Sequence, residues 1–99
     1  MEFETAASIM TCLGSPMRLR LFHMLSKAGE EGMAVGDLQA AVAIPGPTLS
    51  HHLAKMAAVG LLTQERRGTT LICRAVPHPV MALGSYLSTE ATAPGSSRR

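Results

Sequence analysis

Gly46-Pro47-Thr48-Leu49-Ser50-His51-His52-Leu53-Ala54-Lys55-Met56, continued by Gly60-Leu61-Leu62 and Arg66-Arg67-Gly68, decides how the rest of the chain is read. Leu49, Leu53 and Met56 recur at i, i+4 and i+7, which lines them along one side of a helix and turns that side toward a core. Thr48, Ser50, His51 and Lys55 fall on other faces. Pro47 suits a first helical position, where its missing N–H is no loss, with Gly46 acceptable as N-cap. Gly60 is placed to end the helix in a left-handed conformation. One edge of this helix is apolar and another carries hydroxyls, imidazole and ammonium; a segment with a basic tip follows.

Upstream, Phe3, Ala6, Met10 and Leu13 form a helical stripe that Gly14 interrupts. Ser15-Pro16 reads as an N-cap followed by a first-turn proline, opening a second helix through Met17, Leu21, Met24, Leu25 and Ala28 that ends near Gly29. Glu30-Glu31-Gly32 reads as a turn. Val35, Leu38 and Val42 are the spine of a short third helix, with Asp37 near its positive N-terminal end. Ile44-Pro45-Gly46-Pro47 makes the tight connection to the fourth helix, so the third and fourth form a helix-turn-helix.

Beyond Leu62 the period changes. Leu62–Arg66 and Thr70–Val76 carry β-branched residues and flank Arg67-Gly68-Thr69, which predicts a hairpin. Pro77-His78-Pro79 ends the second arm, and Val80, Met81, Leu83 and Leu87 predict a last helix to about Thr89. The expected fold is mainly α with a small β-hairpin, in the order α-α-α-α-β-β-α of a winged helix-turn-helix. Residues 1–89 form one domain, and 90–99, rich in Ala, Pro, Gly, Ser and Arg, form a disordered tail.

Composition sets the remaining bounds. A 99-residue chain makes one small domain, and with 3% aromatics and seven methionines its interior must be filled by Leu and Met. Domains of this size often need a metal, disulfides or a partner, and two cysteines without zinc-finger spacing leave dimerisation as the remaining route. No run approaches the roughly 18 apolar residues of a membrane span, and Glu2 and Glu4 stand where a signal peptide would be basic. A cytoplasmic protein with no membrane partner is expected.

Net charge is only +2, but its distribution is uneven. In residues 1–40 five acids oppose Arg18, Arg20 and Lys27; in residues 41–75 Lys55, Arg66, Arg67 and Arg74 oppose only Glu65. Positive charge therefore collects around the fourth helix and the hairpin, as double-stranded DNA would require. Hydroxyl and imidazole groups can approach base edges, and Lys55 can neutralise a phosphate. No Ser-His-Asp order, phosphate-binding glycine loop or paired-carboxylate motif points to an enzyme.

This element order, with Leu13-Gly14-Ser15-Pro16-Met17-Arg18-Leu19-Arg20-Leu21-Phe22, Leu49-Ser50-His51-His52-Leu53 and Gly60-Leu61-Leu62, resembles the ArsR/SmtB family of winged-helix repressors over residues 5–88. The resemblance implies a homodimer held by its first and last helices, bound to an operator of twofold symmetry and released by an inducer. It implies that Thr48, Ser50, His51 and Lys55 face the major groove or adjacent phosphates and that Arg66 and Arg67 lie on the wing near a minor groove or backbone. His52 matches the family's recurring histidine before leucine and takes a mixed role of DNA contact and packing.

The inducer, whether a metalloid, a metal or a redox signal, is not specified, and no cofactor is certain. The family's sensors often place cysteines at the start of the third helix, where this chain has Gly32-Met33-Ala34-Val35-Gly36-Asp37. Others pair His and carboxylates across the last helix, where only His78 and Glu90 stand, too few for a zinc site. A cysteine cluster that ends the last helix of arsenite sensors is replaced by Ala91-Thr92-Ala93.

Cys12 and Cys73 are the candidate sensing thiols; a disulfide between them requires Cα atoms about 4.4–6.8 Å apart. The competing reading is buried, inert cysteine. His23 is expected to be partly buried rather than a ligand. His51 and His52 point roughly 100° apart on a helix, which disfavours their sharing a metal. Arg66 and Arg67 have a plain alternative as a solvated hairpin tip, and Arg18 and Arg20 as exposed helix charges or partner-subunit contacts. For the whole chain, the alternative is a winged-helix protein-interaction module that does not read DNA.

Overall fold

The computed structural model describes residues 1–92. Among these residues are five α-helices, α1 (Phe3–Leu13), α2 (Pro16–Ala28), α3 (Val35–Val42), α4 (Gly46–Ala58) and α5 (His78–Ala91), and one 3-10 turn, Gly29–Glu31, after α2. Strands β1 (Met33–Ala34), β2 (Leu62–Arg67) and β3 (Thr70–Ala75) form one antiparallel sheet in the order β1-β3-β2. The fold is a winged helix-turn-helix. Helix α5 runs two residues past the expected end at Thr89; residues 93–99 of the expected tail lie outside the described residues.

The start of α2 follows its sequence. Ser15 is the N-cap, its Oγ accepting the Arg18 N–H at 3.3 Å, and Pro16 opens the helix. Helix α4 departs from expectation by one residue. Pro45 occupies the N-cap with extended backbone, so Gly46 is the first helical residue and Pro47 the second. No side chain caps this end. At its other end Val59 leaves the helix and Gly60 takes φ +77°. The Gly60 N–H donates to the Ala57 carbonyl and the Leu61 N–H to the Met56 carbonyl, both at 3.0 Å. That is a Schellman ending, stapled by the burial of Leu61 and Met56.

The core is built mostly of leucine. Leu21 and Leu25 of α2, Leu38 of α3, and Leu49, Leu53 and Met56 of α4 are buried with Leu61, Leu62, Cys73 and Leu83. Each such side chain contributes about 1.5–3 kcal/mol of transfer free energy. Methionine contributes less than expected: Met56 is fully buried, whereas Met10 and Met81 are 44% and 69% exposed. Helix α1 buries Ala6, Ile9 and Cys12, and the Phe3 and Met10 of its expected stripe point outward. The apolar residues of α1 are thus divided between two faces.

The hairpin is present, with Leu62 opposite Ala75 and Arg67 opposite Thr70. Its two-residue loop is Gly68-Thr69, with positive φ at Gly68 alone, the pattern of a type II′ turn. Strand β1 was not expected from sequence. Two residues are too few to show a period, yet Met33 and Ala34 pair with Cys73 and Ile72 and make β3 the central strand. Gly32 makes that pairing possible: its φ is +69°, and a Cβ there would land on the Cys73 carbonyl oxygen and the Arg74 side chain.

Gly32 and Gly60 share positive φ but not surroundings, because nothing lies near a Cβ placed on Gly60. Gly60→Ala is expected to cost roughly 1–2 kcal/mol, the left-handed penalty alone. Gly32→Ala is expected to cost about 3 kcal/mol or more, since overlap adds to backbone strain. Urea unfolding of both variants measures the difference. Equal losses would mean that the approach of Gly32 to β3 is not a constraint.

Candidate nucleic-acid interface

The turn between α3 and α4 is held without glycine. Ala43 adopts φ +54°, its N–H donating to the Gln39 carbonyl at 2.8 Å, and the Gln39 Nε2 donates to the Ile44 carbonyl at 3.2 Å. Helix α4 then buries Leu49, Leu53 and Met56 and exposes Thr48, Ser50, His51 and Lys55. All four sequence-selected residues are therefore available to a ligand approaching α4 from outside. The first intrahelical bond runs from the Leu49 N–H to the Pro45 carbonyl at 3.0 Å. The amides of Gly46 and Thr48 precede it and have no acceptor among the described residues, leaving donors suited to an oxyanion.

His52 is half-buried and tied to a residue whose role the sequence left open. The Arg18 guanidinium sits across the α1–α2 turn, its Nε donating to the Cys12 carbonyl at 2.8 Å and its Nη1 lying 3.1 Å from His52 Nδ1. A guanidinium can only donate, so Nδ1 accepts and the neutral ring carries its proton on Nε2. Burial is the leading cause that lowers the His52 pKa, followed by the charges of Arg18, His51 and Lys55. Both effects favour the neutral imidazole of His52, with its proton on Nε2. No spacing rule connects Arg18 to a residue 34 positions away; the available signal was a lone arginine in the first turn of a helix.

The wing separates the two arginines that sequence grouped together. Arg67 is paired with Glu65 at 3.3 Å, and Glu65 also accepts from Arg74 at 2.7 Å. Arg74 in turn donates through Nε to the Glu30 carbonyl at 2.7 Å, fastening the hairpin to the Gly29–Glu31 turn that follows α2. The hydrogen bonds from Arg74 and Arg67 hold the Glu65 carboxyl below its usual range. Arg66 lies on the opposite face of β2 and has no ion-pair partner among the described residues. The positive charge of the wing available to a ligand is centred on Arg66.

Both thiols are free and buried. Burial raises the Cys73 pKa, against a weak hydrogen bond from Gln64 Nε2 at 3.6 Å, so a reactive thiolate is disfavoured there. Cys12 borders a pocket between α1 and α4. His23 is exposed rather than partly buried, because the core face of α2 is carried by Leu21 and Leu25. Among the described residues no group of three His, Cys, Asp or Glu side chains could hold a metal ion.

A helix-turn-helix with one exposed polar helix and a wing is the reading head of a DNA-binding regulator. A family model described as a helix-turn-helix domain matches residues 13–65. An uncharacterized HTH-type transcriptional regulator of Methanocaldococcus jannaschii, MJ1325, is 32% identical over 68 residues, which are 69% of this chain and 74% of that protein. The solved structure of the AntR antimony-specific transcriptional repressor is 34% identical, with a TM-score of 0.63 over 83% of this chain and 75% of that one. An ArsR-like transcriptional regulator from Rhodococcus sp. RHA1, 18% identical, shares the fold with a TM-score of 0.77 over 90% of this chain and 81% of that one. The chain belongs to the ArsR family of winged helix-turn-helix transcriptional regulators.

The lowered His52 pKa has a sign that can be measured. Below the ordinary value of 6.5 the unfolded chain binds a proton that folded His52 resists, so stability must fall as pH drops through that value toward the folded pKa. His52→Gln keeps an acceptor for Arg18 and removes the titration. Urea midpoints between pH 7.5 and 5 are expected to fall less steeply in this variant than in the wild type. Parallel profiles would show that His52 does not contribute.

Proposed function

We propose that this DNA-binding regulator is a homodimeric, sequence-specific repressor that leaves its operator when an inducer binds. The observation that carries the reading is the exposed face of α4, where Thr48, Ser50, His51 and Lys55 stand clear of the core that holds the helix rigid. Thr48, Ser50 and His51 read base edges or adjacent phosphates, Lys55 meets a phosphate, and His52 offers its Nε2–H while Arg18 holds the ring. On the wing Arg66 is the principal backbone contact. Arg67 is secondary because Glu65 offsets it. Transcriptional control, not catalysis, is the activity, and it is exercised in the cytoplasm. Among the described residues no helix is long and apolar enough to cross a membrane.

Dimerisation is supported by the first and last helices. Helix α5 packs on α1 and buries only Leu83 fully, leaving Met81 69% and Leu87 40% exposed, while α1 exposes Phe3 at 75% and Met10 at 44%. These residues supply apolar area that a second copy would cover. Residues 1–89 act as the DNA-binding and dimerisation unit. Two α4 helices would then enter successive major grooves about 34–36 Å apart. An inducer acts by preferring a dimer geometry that no longer matches this spacing.

The similarity to an antimony-specific repressor favours a metalloid among the candidate inducers. Of the two thiols, Cys12 at the pocket edge is the better placed to meet it, and Cys73 the worse because its thiol is fully buried.

Gel-shift titrations on the promoter of the chain's own operon test this reading. The wild type is expected to bind that duplex saturably and random duplex weakly, whereas Ser50→Ala and His51→Ala each lose about 1–3 kcal/mol of discrimination. Arg66→Ala should reduce the steepness of the salt dependence by about 0.9, and Arg67→Ala by less. Unchanged binding by both α4 variants would remove that helix from the interface. Separately, Met81→Lys is expected to shift the sedimentation equilibrium from dimer to monomer; an unaltered dimer would place the subunit contact elsewhere.

A further inference from the structure

A pocket of about 390 Å³ lies between α1 and the C-terminal half of α4, bordered by Ser8, Thr11 and Cys12 of α1, by Arg18, and by Lys55. Two cations therefore face one concavity, and no carboxylate is among the residues that border it. Arg18 is not a loose surface charge: the Cys12 carbonyl and His52 Nδ1 each take one of its five donors and fix the plane of the guanidinium. Its remaining donors, and the Lys55 ammonium, have no acceptor among the described residues. Thr11 and Ser8 add hydroxyls along the same wall.

We propose that this pocket is an oxyanion site that takes a phosphate, supplied either by the backbone of bound duplex DNA or as free inorganic phosphate. A planar guanidinium fork beside an ammonium and two hydroxyls suits an oxygen-rich anion, with charge-assisted hydrogen bonds from two directions. The same two cations add to burial in lowering the proton affinity of the neighbouring His52. Lys55 follows His51 by four residues, so the pocket opens alongside the face of α4 assigned to DNA. The backbone source rests on that assignment; the free-phosphate source does not.

Thr11 is exposed on α1, outside the recognition helix and the wing, which allows the pocket to be altered alone. Thr11→Glu places a carboxylate beside Arg18 and Lys55, Thr11→Gln controls for size, and Ser8→Glu tests the same pocket should Thr11→Glu fail to fold. Each is measured for the salt dependence of duplex binding and for thermal stabilisation by inorganic phosphate at constant ionic strength. Thr11→Glu is expected to bind the operator on the order of tenfold more weakly, with a log–log salt slope about 0.9 shallower, while Thr11→Gln follows the wild type. A shallower slope without phosphate stabilisation of the wild type assigns the site to the DNA backbone. Phosphate stabilisation that Thr11→Glu abolishes, with an unchanged slope, assigns it to free anion. Slope and phosphate response both unchanged in Thr11→Glu and Ser8→Glu would overturn the proposal. A wild type that binds no duplex defeats the repressor reading and leaves the phosphate response to decide this one.

Discussion

Leu49, Leu53 and Met56 anchor α4 to the core, and what the opposite face can do depends on how firmly they hold it. All three are essentially inaccessible and pack with Leu21, Leu25 and Leu38 from the two preceding helices. Removing one such leucine costs about 2–5 kcal/mol. In a domain of this size that is a large part of the total stability, because marginal folds hold only about 5–15 kcal/mol. The apolar edge thus fixes the rotation of α4 about its axis, and that rotation decides which of Thr48, Ser50, His51 and Lys55 face outward. What one edge presents depends on the burial of the other.

Local features were legible in the sequence wherever one residue type has one physical use. Ser15-Pro16 announced a helix start, Gly60 a helix end, and Leu49, Leu53 and Met56 at i, i+4 and i+7 a buried edge, and each stands where it was expected. The failures share a cause. Met10 and Phe3 obey helical spacing as well as Ala6 does, but spacing cannot tell a helix with one apolar face from a helix with two. Strand β1 has two residues and exists because β3 offers an open edge and Gly32 lets the chain come close, neither of which is a pattern in residues 30–34. The one-residue displacement at the start of α4 reflects two prolines around one glycine, any of which is tolerated in a first turn.

Electrostatic roles were the least legible, because they depend on partners far apart in sequence. Arg66 and Arg67 are equivalent as letters, yet strand alternation puts one beside Glu65 and the other on the far face. The sequence counts Arg74 with the positive charge around the fourth helix and the hairpin. It is instead engaged by Glu65 and the Glu30 carbonyl, where it ties the hairpin to the helical layer. The net +3 of residues 41–75 therefore overstates what the wing presents. Part of the deficit is made up by Arg18, which lies outside that segment in sequence and beside α4 in space.

Helix α1 joins these features into a single mechanical path. Its Phe3 and Met10 lie on the exposed face proposed to meet a second copy, its Ser8 and Thr11 border the cationic pocket, and its Cys12 carbonyl holds the guanidinium that holds His52. A displacement of α1 at a dimer contact would move the Cys12 carbonyl, and Arg18 must then either follow it or give up one of its two hydrogen bonds. Either response alters the orientation of an imidazole on the recognition helix. Arg18 ties α1, α2 and α4 together at one point, through the Cys12 carbonyl on one side and His52 on the other.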